Sequence, residues 1–190
     1  MPWHYWVLRK FAAAEPPKEW EKILKLLKDI LPVNYIDKIE VAAFSIRGKR
    51  IARWQLERSH PEYSTKLNTV EAAKKLTWLL LKSKNAPTIS HKLCTLLNKD
   101  KRFTEEITCC PVCRETICLD DFKRSGRVDP MSIQMGHLIP LSRGKDGHNA
   151  HNVVWVHRRC NYIQDEQTIE ETIETLCQIL KRHGYEASKI

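Results

Sequence analysis

Gln134-Met135-Gly136-His137-Leu138-Ile139-Pro140, answered further on by Asn152-Val153-Val154-Trp155-Val156-His157-Arg158-Arg159-Cys160-Asn161-Tyr162-Ile163-Gln164, is the stretch on which the fold turns. Val153 to Val156 is a short run of β-branched and aromatic residues, which reads as a buried strand. His157 and Cys160 close that run with an H-x-x-C pair, and Cys110-Pro111-Val112-Cys113 supplies a C-x-x-C pair upstream. Each pair can offer two ligands to one ion from a tight turn. Together, Cys110, Cys113, His157 and Cys160 make the four N and S ligands of a closed tetrahedral site. Sulfur and imidazole donors select zinc over magnesium. A closed site leaves no position for substrate, so one structural zinc per chain is expected, clamping two segments together. Cys109 and Cys118 lie close enough in sequence to offer a rival ligand set.

Downstream, Thr168-Ile169-Glu170-Glu171 fits a capping box. Ile169, Ile173, Leu176 and Leu180 then form one apolar stripe, and Gly184 stops the helix. Upstream, the character of the chain changes near residue 105. Before that point Trp20, Ile23, Leu24, Leu27 and Ile30 follow helical spacing between Pro17 and Pro32. A helix is expected over Val70 to about Lys82 with Thr69 as its cap, and a shorter one from Ser90 through Leu97. Residues 39–56 are ambiguous: Arg47-Gly48-Lys49-Arg50 reads either as a hairpin turn or as a break between helices. The expected organisation is α+β, with a mainly helical, basic region over 1–105 and a zinc-bound module over 106–190.

Composition bounds the function. With 42% hydrophobic residues and six tryptophans among 190 residues, the chain can bury a core. Thirty-two Lys and Arg against 23 Asp and Glu give a net charge of +9, which favours a polyanionic partner, nucleic acid before an anionic membrane surface. No run approaches the ~18 apolar residues of a membrane span. The opening Met1-Pro2-Trp3-His4-Tyr5-Trp6 does not read as a signal peptide. Seven cysteines, clustered and odd in number, suit a reducing compartment and a metal site, hence a cytoplasmic location.

The interleaving of G-H-L-I-P, a downstream Asn and the two zinc half-sites over residues 108 to 170 resembles the HNH (ββα-metal) endonuclease family, and within it the small type II restriction endonucleases. The resemblance implies a zinc-stabilised ββα-metal module. It gives His137 the place of the general base. Asn152 takes that of the asparagine that holds the base-bearing loop, and Asn161 that of a ligand to a catalytic divalent ion, magnesium or manganese. One departure stands out: the family's acidic metal ligand directly before the base is here Gly136. Asn161 and waters alone could hold the ion, or a carboxylate from elsewhere, with Asp120, Asp121, Asp129 and Asp165 as candidates.

These residue types suit phosphodiester hydrolysis. An imidazole of ordinary pKa near 6.5 can accept a proton from water near neutral pH. A hard divalent cation bound by a neutral carboxamide can neutralise the phosphate and stabilise the leaving oxygen. Arg143, Lys145, Arg158 and Arg159 are the expected phosphate contacts. Arg47, Lys49, Arg50 and Arg53 add charge to the first region, which is expected to serve base readout, dimer contacts or both. The expected activity is metal-dependent cleavage of double-stranded DNA, with two alternatives: an HNH nicking enzyme, and a zinc-stabilised DNA-binding module without catalysis. A palindromic target would favour a homodimer.

Overall fold

The computed structural model describes residues 17–46, 51–99, 101–126, 128–144 and 147–185. Arg47, Lys49, Arg50 and Lys145 lie outside them. The chain is α+β. Among the described residues four helices come first: α1 (Lys18–Leu27), α2 (Val33–Phe44), α3 (Lys66–Leu81) and α4 (His91–Leu97). The hairpin β1 (Ile133–His137) and β2 (Val153–His157) follows, then α5 (Arg158–Gln164) and α6 (Ile169–Arg182). Among the described residues no helix is long and apolar enough to cross a membrane.

Of the ambiguous stretch, residues 39–44 end α2, which buries Tyr35, Ile36, Ile39, Ala43 and Phe44, while the choice between turn and break at Arg47 to Arg50 lies outside the described residues. An antiparallel bridge joins Ser45 to Ala52. The middle helix starts earlier than its apolar pattern suggests. Thr65, not Thr69, is the cap: its Oγ1 accepts from the Asn68 N–H at 3.1 Å. Thr69 is fully buried inside α3, its hydroxyl donating to the Lys66 carbonyl at 2.7 Å. A cap satisfies an orphan N–H of the first turn, and the hydroxyl at 65 is the one placed to do so. Ser90 caps α4 and Thr168 caps α6, the latter with Glu171 closing the box.

α3 is buried nearly all round and forms the spine of the molecule. Trp155 of β2 packs on it, donating Nε1–H to the Leu76 carbonyl at 2.8 Å and meeting Phe122 edge to face at 5.2 Å. One apolar core therefore runs continuously from Trp20 to Cys160 and crosses residue 105. Trp20, Trp78 and Trp155 are its largest side chains. Burying roughly 150–250 Å² each contributes about 4–6 kcal/mol per ring.

The hairpin is antiparallel, with Ile133 opposite His157, Met135 opposite Trp155 and His137 opposite Val153. α5 starts immediately after β2, with His157 as its N-cap residue. This β–β–α unit fixes the ends of both strands beside one short helix. α6 forms as its capping box predicts, but only part of its stripe is covered: Ile169 packs against the core and Leu176 is half-buried, while Ile173 and Leu180 are exposed.

Candidate active site

Cys110, Cys113, His157 and Cys160 converge, their ligand atoms all within 4.8 Å of one another. The C-x-x-C pair sits on a turn closed by Cys110 N–H to Glu115 O and Arg114 N–H to Cys110 O, both 2.9 Å. The other pair spans the junction of β2 and α5. Cys113 Sγ lies 3.3 Å from His157 Nδ1, close to the ~3.6 Å edge of a tetrahedron with Zn–S and Zn–N arms of ordinary length. His157 is fully buried and its Nε2 has no hydrogen-bond partner among the described residues. An unsatisfied buried donor costs about 1–3 kcal/mol, well below the ~10–16 kcal/mol that structural zinc supplies.

A hydrogen bond from Cys160, with backbone N–H groups of the turn, pulls the Cys110 thiol down to about 4, while the same pairing pushes Cys160 well above the ordinary thiol range. Burial, then the charge on Cys110, raises Cys113. A divalent cation removes this conflict, so the donor set fits zinc. Cys109 and Cys118 stay out of the cluster: Cys109 contacts the Ile107 carbonyl, and Cys118 opens the turn carrying Asp121.

Asn152 is 3% exposed and ties the loop between the strands at both ends. Its Oδ1 accepts from the Ile139 N–H at 2.8 Å, and its Nδ2 donates to the Ile139 and Gly147 carbonyls, each at 2.9 Å. Gln164, at the end of α5, donates to the His137 carbonyl at 2.7 Å. The backbone on either side of His137 is thus pinned from β2 and from α5.

The His137 side chain is half-buried. Its Nε2 lies 3.1 Å from Nδ1 of His148. Burial, then the Arg53 charge, holds the His137 imidazole down to about 3, so it is neutral at working pH.

Asn161 lines a cavity of about 490 Å³ together with Gln134, Asp37, Lys38, Ser45 and Arg53. Its Nδ2 donates to Gln134 Oε1 at 3.4 Å, and its Oδ1 would lie 3.2 Å from a Cβ at position 136. The same Cβ would be 3.0 Å from Cγ2 of fully buried Val156. The glycine is therefore steric: the acidic residue usual at that place does not fit without moving Val156 and Asn161. The four carboxylates considered as substitutes are engaged or placed elsewhere. Asp120 pairs with Lys123, Asp121 and Asp129 with Arg124, and Asp165 is the C-cap of α5. The carboxylate that shares the cavity with Asn161 is Asp37 of α2.

Among the expected DNA contacts, Arg143 pairs with Glu171 at 2.7 Å and Arg159 with Glu115 at 2.8 Å. Arg158 stacks on the Tyr162 ring at 4.8 Å. Arg53 is the buried cation of the cavity: its Nη1 meets Glu62 at 2.9 Å and its Nε has no hydrogen-bond partner among the described residues. In the sequence Arg53 is one charge among several and His148 one histidine of a loop. Neither carries a local signal of its place in the site, because the partners that put it there are distant along the chain.

Three comparisons bear on this geometry. A family model described as DraIII matches residues 25–160. A solved structure titled as the crystal structure of a type II restriction endonuclease superposes with a TM-score of 0.67 at 22% identity, over 85% of this chain and 81% of that one. That likeness is one of fold. No curated protein matches the chain.

Proposed function

The chain belongs to the DraIII family of restriction endonucleases, and from this premise we propose that it cuts double-stranded DNA by the HNH (ββα-metal) mechanism with a divalent cation. What supports this reading is the β–β–α unit: His137 ends β1, Asn161 of α5 meets Gln134 of that same strand, and the Cys3His cluster joins the β2–α5 junction to the Cys110–Cys113 turn.

His137 is the general base. It takes a proton from water, whose oxygen then attacks phosphorus as the bond to the leaving oxygen breaks. Because its ring is neutral, it has a lone pair to offer. An approaching phosphate raises its proton affinity from the low value of the free protein, since a nearby anion favours the imidazolium. Asn152 keeps the loop closed so that the ring stays at the strand end. Arg53 meets the phosphate charge inside the cavity, where low dielectric strengthens the contact. Asn161 Oδ1, Gln134 Oε1 and Asp37 are oxygen donors on one cavity and would hold magnesium or manganese. When bound, such an ion neutralises the phosphate and stabilises the departing alkoxide.

Zinc stays structural, held by Cys110, Cys113, His157 and Cys160. Arg143, Lys145, Arg158 and Arg159 contact phosphates, with Arg143 and Arg159 exchanging their carboxylate partners for DNA. The helical region 1–105 contributes Arg53 and Asp37 to the cleft and reads the target, and a homodimer would cut both strands in one encounter.

The test is digestion of a plasmid with magnesium, by wild type and by His137→Ala. Discrete fragments from wild type, none with chelator, and none from a variant that still shifts DNA in a gel are expected. Near-normal cleavage by the variant refutes the base. DNA binding with no cleavage by wild type under magnesium or manganese makes the chain a binding module.

A further inference from the structure

His148 is the buried histidine beside His137, and the reading of His137 as base leaves it without a task. It is 1% exposed. Its Nε2 lies 2.8 Å from the carbonyl of Ala43 on α2, and its Nδ1 lies 3.1 Å from Nε2 of His137. The rings meet edge to face with centroids 5.4 Å apart. Ser64 donates to the His148 carbonyl at 2.6 Å, which fixes the backbone as well. Both the ring and the backbone of His148 are therefore anchored in the helical half of the protein.

The contacts have only one consistent set of protons. A carbonyl oxygen accepts and cannot donate, so His148 Nε2 carries its hydrogen. A neutral His148 then has its lone pair on Nδ1, which must accept. His137 must donate to it from Nε2, which puts the His137 lone pair on Nδ1. His137 Nδ1 makes no hydrogen bond among the described residues. The one arrangement that would reverse this is a doubly protonated His148, whose Nδ1–H would force His137 to accept at Nε2. Burial, then the Arg53 charge, then His137 itself, disfavour that charge.

We propose that His148 is the positioning residue of the base: it holds the proton of His137 on Nε2, so that Nδ1 is the atom that takes the proton from water. The Ala43 carbonyl is the far end of the relay, which makes α2 part of the catalytic apparatus although it lies 105 residues away in sequence. The proposal rests on the reading of His137 as base, yet its geometric part can be tested without turnover.

The experiment has two arms. Imidazole nitrogen shifts of the zinc-loaded wild-type chain, assigned through His137→Gln and His148→Asn, report the tautomer directly. The Nε2–H form of His137 is expected, and a His137 with its proton on Nδ1 overturns the proposal. The second arm compares His148→Asn with His148→Gln in single-turnover plasmid cleavage with magnesium. Asn places an acceptor oxygen near the Nδ1 position and keeps the contact to His137. Gln places an amide near the Nε2 position and keeps the contact to Ala43 instead. His148→Asn should stay within about tenfold of wild type, and His148→Gln should lose about a hundredfold or more, the scale of a positioned proton acceptor. Equal losses in two folded variants with an unmoved His137 tautomer overturn the proposal. If wild type shows the expected tautomer but His137→Ala still cleaves, the reading of the base fails while the assignment of protons stands.

Discussion

Replacing Asn152 by Asp changes one NH2 group to oxygen and leaves shape untouched. In the wild type that NH2 donates to the carbonyls of Ile139 and Gly147, both at 2.9 Å, while Oδ1 accepts from Ile139 N–H. An ionised carboxylate at this position keeps the third bond and sets its other oxygen against two carbonyl oxygens. Two lost hydrogen bonds cost about 2–3 kcal/mol, and confining a charge at a site 3% exposed adds to that. The protonated carboxyl regains one donor, so the loss shrinks to about 1 kcal/mol. The folded-state pKa of the new carboxyl is thus raised above its unfolded value of about 3.9. A raised pKa means stability present at low pH and lost as pH rises through the folded value. Urea melts of zinc-loaded wild type and Asn152→Asp at about pH 5 and about pH 7 test this, since that window lies above the unfolded carboxyl pKa. The difference between them should widen with pH, by up to about 1.4 kcal/mol per unit of raised pKa. DNA cleavage should fall with it, because the loop carrying His137 loosens. A constant difference at both pH values, or a variant as stable as wild type, would refute the assignment of Asn152 as the tie of that loop.

Three more outcomes are expected. Gly136→Ala forces a methyl against Val156 and Asn161; the overpacking should destabilise by about 1–3 kcal/mol, partly offset by about 0.4–1 kcal/mol from the stiffer unfolded backbone, and a melt showing net stabilisation contradicts the packing argument. Cys113→Ser should cut zinc from about one per chain to near none and remove cooperative unfolding of the hairpin and α5, read by elemental analysis and by near-ultraviolet circular dichroism of Trp155; a folded, zinc-free wild type sinks the assignment of the cluster. His137 is depressed from its ordinary 6.5 to about 3, and His148 is depressed too. The unfolded chain binds these protons first, so the stability is complete above pH ~6.5 and lost as pH falls, by up to about 1.4 kcal/mol per unit for each imidazole. Denaturant melts of His137→Gln from about pH 7.5 to about pH 5.5 should be less pH-dependent than wild type, and equal slopes reject the burial of a neutral imidazole.

How much of this is legible in the sequence follows the range of the forces involved. Pairs of ligands on tight turns, a capping box and a β-branched run are local signals, so Cys110 with Cys113, His157 with Cys160, Thr168 with Glu171 and Val153 to Val156 stand out without a structure. The start of α3 is misread from pattern alone because two threonines four residues apart offer the same hydroxyl. Only packing distinguishes them, burying Thr69 and leaving Thr65 at the end. The stripe on α6 is visible as a period, but how much of it is covered is a tertiary matter: Ile169 packs against the core, while Ile173 and Leu180 face outward. The cavity around Asn161 is hidden for the same reason. Asp37 and Arg53 reach it from the helical half, through contacts that no spacing in the chain announces.

A change in composition at residue 105 is not the same thing as a physical boundary there. Trp155 hydrogen-bonds to Leu76, His148 to Ala43 and Lys38 to Phe122, each across that point. A hairpin of two five-residue strands is too small to hold itself rigid in water. At its open end the Cys3His cluster brings the Cys110–Cys113 turn against the junction of β2 and α5, and α3 covers the face that would otherwise be wet. What remains to be fixed is the loop end, where His137 sits, and there the restraint comes from Asn152 on one side and from α2 through His148 on the other. A β–β–α unit cut away from residues 17–99 would therefore keep Cys110, Cys113, His157, Cys160 and the His137–His148 contact, and lose the Ala43 carbonyl and the Ser64 hydroxyl that hold His148 in place.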